Sequence, residues 1–222
     1  MIIDHNHPAY IRRWKALGAN QFNGAYYYSK EIVDRIIPHV KTDRSWVTVN
    51  IPKYNIVPQF ESVGCDHAIV FIHNNLHPEN YNWLRKYEDL ILVCGIPETV
   101  EKVHHLGKAI YLPLSIDVEY VNQFRRPKTK AAAFVGRPSK RGGCTFPETI
   151  DVIGGMPREE LLATMSEYRR VYAVGRTALE AICLDCKVMP YDKRFPDADR
   201  WKVIDNLEAA RILQEKIDLI DK

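Results

Sequence analysis

The residues best suited to chemistry lie in segment 172–190, YAVGRTALEAICLDCKVMP. Gly175, Arg176 and Thr177 form a turn between a short apolar run and a helical pattern. Glycine can adopt the positive φ of a tight turn, and the N–H groups at a helix start favour anions such as phosphate. Arg176 adds a permanent positive charge, and Glu180, one turn further, could accept hydrogen bonds from a ribose. The segment predicts either a nucleotide site or an ordinary helix start with a solvated arginine and a surface glutamate.

A second glycine-containing loop follows the apolar run that ends near residue 136. Gly136 and Arg137 begin the sequence GRPSKRGG, in which Lys140 is another cation. Cations on a glycine-rich loop suit a diphosphate, but the Walker pattern is absent and a solvated basic loop is the alternative. Gly154, in the sequence IGGMP, ends another apolar run. It either lets a ligand approach the backbone or forms a short connecting turn.

In the first half of the chain, the apolar run 68–72 leads directly into His73 and Asn74. An imidazole at a strand end could donate to a sugar hydroxyl or shuttle a proton. The alternative is an asparagine-capped turn with an incidental histidine. Asn23 and Gly24 form another flexible turn, ahead of a helical pattern.

Alternating strands and helices are expected to position these residues. The spacing of apolar residues predicts strands at 46–51, 68–73, 90–95, 109–114, 131–136, 150–153, 171–174 and 187–191. It predicts helices at 25–40, 79–87, 97–106, 157–168, 177–185 and 207–221. Such alternation indicates an α/β protein with parallel sheets. We expect two small Rossmann-like halves, 1–120 and 121–222, the second ending in the last helix, with a ligand at the carboxyl ends of the strands.

The composition limits the class of protein. With 222 residues, 46% of them hydrophobic, the chain can bury real cores, and no apolar run approaches the length of a membrane span. We expect a soluble, cytoplasmic protein. The net charge of +3 does not by itself imply nucleic acid. Cys183 and Cys186 lie in an apolar helical pattern and are interpreted as buried thiols, so no metal site is predicted.

Taken in order, these segments resemble the retaining nucleotide-sugar glycosyltransferases of the GT-B fold. FNGAYYYSKEIVDRI resembles the family's first glycine loop and helix, and VFIHNN its strand ending in an active-site histidine. ILVCGIPETVEKV and IYLPLSIDVEYV are similar to the segments before and at the interdomain hinge, with Ser115 in place of a glycine. AFVGRPSKRGG and VGRTALEAICLDCKVMP resemble the basic phosphate loop and the donor helix.

The resemblance implies two halves facing each other across a cleft and transfer of a sugar to an acceptor hydroxyl with retention. It implies that Arg137 and Lys140 contact the donor diphosphate, and that Glu180 holds the ribose. His73 would then sit beside the transferred sugar, with the Gly24 loop closing on donor or acceptor. The nucleotide sugar is a co-substrate, and neither a cofactor nor a metal is implied.

One departure from the family pattern keeps other functions open. Many relatives carry a glutamate eight positions before the one that matches Glu180, and here that position is Tyr172. A protein that binds a nucleotide or nucleotide sugar without transfer is therefore an alternative. A glycosyltransferase acting on modified DNA bases is another, because Arg12, Arg13 and the basic stretch 122–130 could contact phosphates. A solvated linker is the other interpretation of that stretch.

Overall fold

The computed structural model describes residues 2–3, 24–49, 67–72, 82, 84–136, 144, 146, 149–191 and 201–222. These residues form two compact units. The first is drawn from residues 2–3, Ala25–Leu114 and Asn206–Lys222, and the second from Gly24 and Ser115–Asp205. The chain therefore passes from the first unit to the second after Leu114 and returns at Asn206.

The first unit contains a five-stranded parallel sheet whose strand order follows the chain. Its strands are β1 (Ile2–Ile3), β2 (Ser45–Val49), β3 (Ala68–Ile72), β4 (Ile91–Cys94) and β5 (Lys108–Tyr111). Helix α1 (Gly24–Glu31) continues into a π-helical turn at Ile32–Ile36 and a 3-10 turn at Ile37–His39. Helix α2 (Pro97–Val103) continues into a 3-10 turn at His104–Leu106 and connects β4 to β5.

The strands β3 and β4 are buried along their whole length. One face of the sheet packs Val70 and Leu92 against Val103. Phe71 faces the other way and stacks on Trp46, with ring centroids 5.9 Å apart. Continuous apolar strands are expected where a parallel sheet is covered on both sides, so these runs are the core of the first unit.

The second unit contains a four-stranded parallel sheet with the order β7-β6-β8-β9. The strands are β6 (Lys130–Val135), β7 (Asp151–Ile153), β8 (Tyr168–Tyr172) and β9 (Lys187–Met189). Helix α3 (Val118–Asn122) precedes β6, α4 (Arg158–Ser166) connects β7 to β8, and α5 (Arg176–Cys183) connects β8 to β9. The predicted α/β class with parallel sheets is confirmed.

The last helix, α6 (Asn206–Ile220), belongs to the first unit. The sequence had instead predicted that this helix ends the second half of the chain. The side-chain amide of Asn206 donates to Glu31 at 3.0 Å. Gln214 exchanges hydrogen bonds with the backbone of Lys41, at 2.6 and 3.2 Å. These bonds attach α6 to the last residue of α1 and to the segment that follows α1. The boundary also lies at Leu114 instead of residue 120.

Predicted and observed elements agree closely where the structure describes them. The predicted strands and most helices are present within about three residues at each end, the usual uncertainty of boundaries. The predicted helix 79–87 is represented by short 3-10 turns at its described positions. Within the described part of the chain, no helix is both long and apolar enough to cross a membrane.

Candidate functional site

The strand order of the second sheet creates a switch point between β6 and β8. The chain moves from β6 to the edge strand β7, and then crosses back past β6 to reach β8. Phe134 of β6 is in register with Tyr172 of β8, so the two strands end side by side. Ligands of doubly wound sheets bind outside the carboxyl ends of strands at such a point. The predicted residues Gly136 and Gly175 follow these two strands.

Gly175 is required by its backbone conformation. Its φ is 62° and its ψ is −139°, a combination that is essentially restricted to glycine. Among the residues that the structure describes, none has an atom within 4 Å of a Cβ placed at this position, so none of them closes this turn. Arg176 and Thr177 then begin α5, whose first turn presents backbone N–H groups that have no carbonyl partner within the helix. The predicted glycine turn before a helix is therefore present.

Gly154 and Gly136 are explained by contact with each other. A Cβ on Gly154 would lie 2.6 Å from the carbonyl oxygen of Gly136, and the Gly136 N–H donates to the carbonyl of Ile153 at 3.2 Å. The loops after β6 and β7 therefore touch through their backbones. Close packing within the chain, not approach of a ligand, is sufficient reason for glycine at position 154.

Glu180 lies at the centre of a buried ion-pair cluster. Its Oε1 accepts from Nε of Arg176 and from Nη2 of Arg158, each at 2.9 Å. The side chains of Glu180, Arg176 and Arg158 are 7%, 6% and 13% exposed. Arg158 and Arg176 are the first residues of α4 and α5. The cluster therefore joins the N-terminal ends of these two helices.

This geometry differs from the exposed glutamate and solvated arginine that an ordinary helix start would show. Glu180 and Arg176 are buried instead. Both guanidinium groups donate to Oε1, so Oε2 of Glu180 takes part in neither of these hydrogen bonds. The carboxylate thus has a structural role and retains an oxygen that neither arginine occupies.

Sequence reasoning missed Arg158. Its guanidinium lies over the ring of Tyr120, 5.3 Å from the centroid, and the hydroxyl of Tyr120 donates to Glu159 at 3.2 Å. A signal was available, because Arg158 and Arg176 each start a helix shortly after a glycine at a strand end. Arg158, Arg176 and Glu180 suggest a shared ion pair only once α4 and α5 are known to be neighbours.

Tyr172, which stands where many members of the resembled family carry an acid, is a packing residue. It is 2% exposed, and its ring meets that of Phe146 edge to face, with centroids 4.9 Å apart. Phe134, Phe146 and Tyr191 complete the aromatic cluster on this side of the sheet.

The basic stretch 122–130 is attached to the second unit. Arg125 donates to the carbonyl of Cys183 at 2.6 and 3.0 Å, and Lys128 donates to the carbonyls of Ser166 and Leu184, each at 2.6 Å. Arg126 and Lys130 pair with Glu167, and Arg125 with Asp185. Each of these cations thus has an acceptor within its own unit, so the stretch is attached to the second unit and is not a free linker.

The two neighbouring cysteines are buried thiols, as predicted. Cys183 donates to Oδ1 of Asn122 at 3.1 Å, whereas Cys186 contacts the carbonyl of Met165 at 3.5 Å. Burial raises the pKa of both thiols, which disfavours the thiolate that metals bind. Among the described residues, no group of three or more histidines, cysteines or carboxylates could hold a metal ion.

Several predicted site residues lie outside the described ranges. They are Asn23, His73, Asn74, Arg137 and Lys140. Gly24 is described as the first residue of α1. Of the predicted donor-side residues, the structure places Gly136, Gly154, Gly175, Arg176, Thr177 and Glu180 at one edge of the second sheet.

Comparisons with protein-family models, with curated proteins and with solved structures found no match to this chain.

Proposed function

We propose that this protein is a glycosyltransferase that moves a sugar from a nucleoside diphosphate sugar to an acceptor hydroxyl with retention at the anomeric carbon. The second unit binds the donor at the carboxyl edge of its sheet. The first unit supplies the acceptor side. In a GT-B arrangement, one face of this unit would lie across a cleft from the donor site.

The observation that carries the proposal is the switch point between β6 and β8. At this point the open turn at Gly175 and the start of α5 lie next to the end of β6. The sequence after β6 continues through Gly136 into Arg137 and Lys140. A helix N-terminus and nearby cations are suited to a diphosphate, which carries negative charge on several oxygens.

Glu180 supports recognition of the nucleoside. Two arginines donate to Oε1, and Oε2 takes part in neither of these hydrogen bonds. A carboxylate fixed in this way can accept hydrogen bonds from the vicinal hydroxyls of a ribose without a further loss of side-chain entropy. The proposal therefore keeps the ribose role for Glu180 and adds Arg158 as the residue that orients it.

Catalysis would come mainly from positioning and from neutralisation of charge. Negative charge grows on the departing diphosphate as the bond to the anomeric carbon breaks, and fixed dipoles and cations stabilise it without reorganising. The acceptor hydroxyl then approaches the same face of the sugar. His73 directly follows β3 and would orient the transferred sugar.

A substitution at Thr177, the second residue of α5, tests the donor site. In Thr177→Glu, a carboxylate at the start of the helix suits the helix dipole, so the fold should persist while the new charge repels phosphate. We expect affinity for uridine or guanosine diphosphate, measured by calorimetry, to fall roughly tenfold or more. The neutral control Thr177→Gln should bind within about twofold of wild type. Equal affinity of Thr177→Glu and wild type would show that the diphosphate does not bind at this edge.

Transfer is tested separately from binding. A panel of nucleotide sugars is incubated with the protein, with and without a chelator, and release of nucleoside diphosphate is measured. We expect nucleoside diphosphate to be released even in the presence of the chelator. We also expect His73→Ala to lower turnover while its affinity for the diphosphate stays unchanged.

The buried aromatic Tyr172 favours a second candidate, a binding protein without transfer. Binding with no release from any sugar nucleotide would select that candidate.

A further inference from the structure

We draw no further inference here: the strongest candidate, the charged side-chain cluster around Arg44 and Asp89 at the amino ends of β2 to β5, consists of ion pairs and hydrogen bonds among its own members, and nothing in the described part of the structure points to a ligand.

Discussion

Oε1 of Glu180 lies 2.9 Å from Nη2 of Arg158, although the two residues are 22 positions apart and belong to different helices. The same oxygen accepts from Arg176 within its own helix. The bond to Arg158 fixes the start of α4 against the start of α5. The carboxylate of Glu180 therefore joins the two helix N-termini next to the switch point.

Removal of that carboxylate should destabilise the second unit. Loss of one partner from a buried ion pair leaves the other charge buried, so we expect Glu180→Ala to lower the free energy of unfolding by roughly 3–5 kcal/mol. Glu180→Gln keeps an oxygen acceptor and should cost less. Glu167→Ala removes a partly exposed carboxylate, 24% exposed, and should cost much less than Glu180→Ala because solvent screens its ion pairs. Urea denaturation followed by circular dichroism provides the comparison. Similar losses in Glu180→Ala and Glu167→Ala would contradict the buried role.

Lys128 should stabilise the C-terminal ends of α4 and α5. Its ammonium donates to the carbonyl of Ser166, the last residue of α4, and to that of Leu184, which follows α5. A cation there satisfies terminal carbonyls and complements both helix dipoles. We expect Lys128→Met to lower the free energy of unfolding by roughly 1–3 kcal/mol.

Lys130→Met is the matched control, because this lysine is 43% exposed and pairs only with Glu167 among the ion pairs described. Lys130→Met should cost much less than Lys128→Met in the same urea experiment, because solvent screens an exposed ion pair. If both lysine variants unfold at the same urea concentration, Lys128 is not a helix cap.

The turn at Gly175 should reject every other residue type. Asparagine often replaces glycine at positive φ, but it does so in the left-handed helical region, and the ψ of −139° places Gly175 elsewhere. We expect Gly175→Ala and Gly175→Asn to destabilise the protein alike, by roughly 1–3 kcal/mol. Thermal unfolding of the two variants measures this. Recovery of wild-type stability by asparagine would mean that the turn has a different conformation.

Much of this fold could be predicted from local sequence. Apolar runs such as 68–72 and 91–94 became buried parallel strands because each run can bury both faces. Gly175 and Arg176 were recognisable because a glycine turn before a helix is a local pattern. Arg158 was not, because its role depends on two helices becoming neighbours after the strands have ordered as β7-β6-β8-β9.

The position of α6 was beyond local sequence for the same reason. An amphipathic pattern shows that a helix has a face to bury, but not which unit buries it. That choice depends on specific long-range partners: Glu31 for Asn206, Lys41 for Gln214 and Arg44 for Asp221.

The last of these partners creates a measurable dependence of stability on pH. Arg44, with a side chain 4% exposed, pairs with Asp221 at 2.7 Å and with Asp89 at 3.1 Å. Asp89 also accepts from Lys108 at 2.8 Å and contacts Nδ1 of His67 at 2.6 Å. The hydrogen bond from Lys108, assisted by Arg44, lowers the pKa of Asp89 to about 2 despite partial desolvation.

Because the pKa of Asp89 is lower in the folded than in the unfolded protein, its ionised form stabilises the fold. That contribution is complete above the unfolded value near 4 and is lost as the pH falls through about 2. Asp89 is about one-third exposed, so solvent screening reduces the contribution to roughly 1 kcal/mol.

Urea midpoints should therefore fall more for wild type than for Asp89→Asn between pH 5 and pH 2. Asp34→Asn, which alters an exposed pair with Lys30, is the control and should follow wild type. Parallel curves for wild type and Asp89→Asn would mean that this carboxylate is not stabilised by the fold.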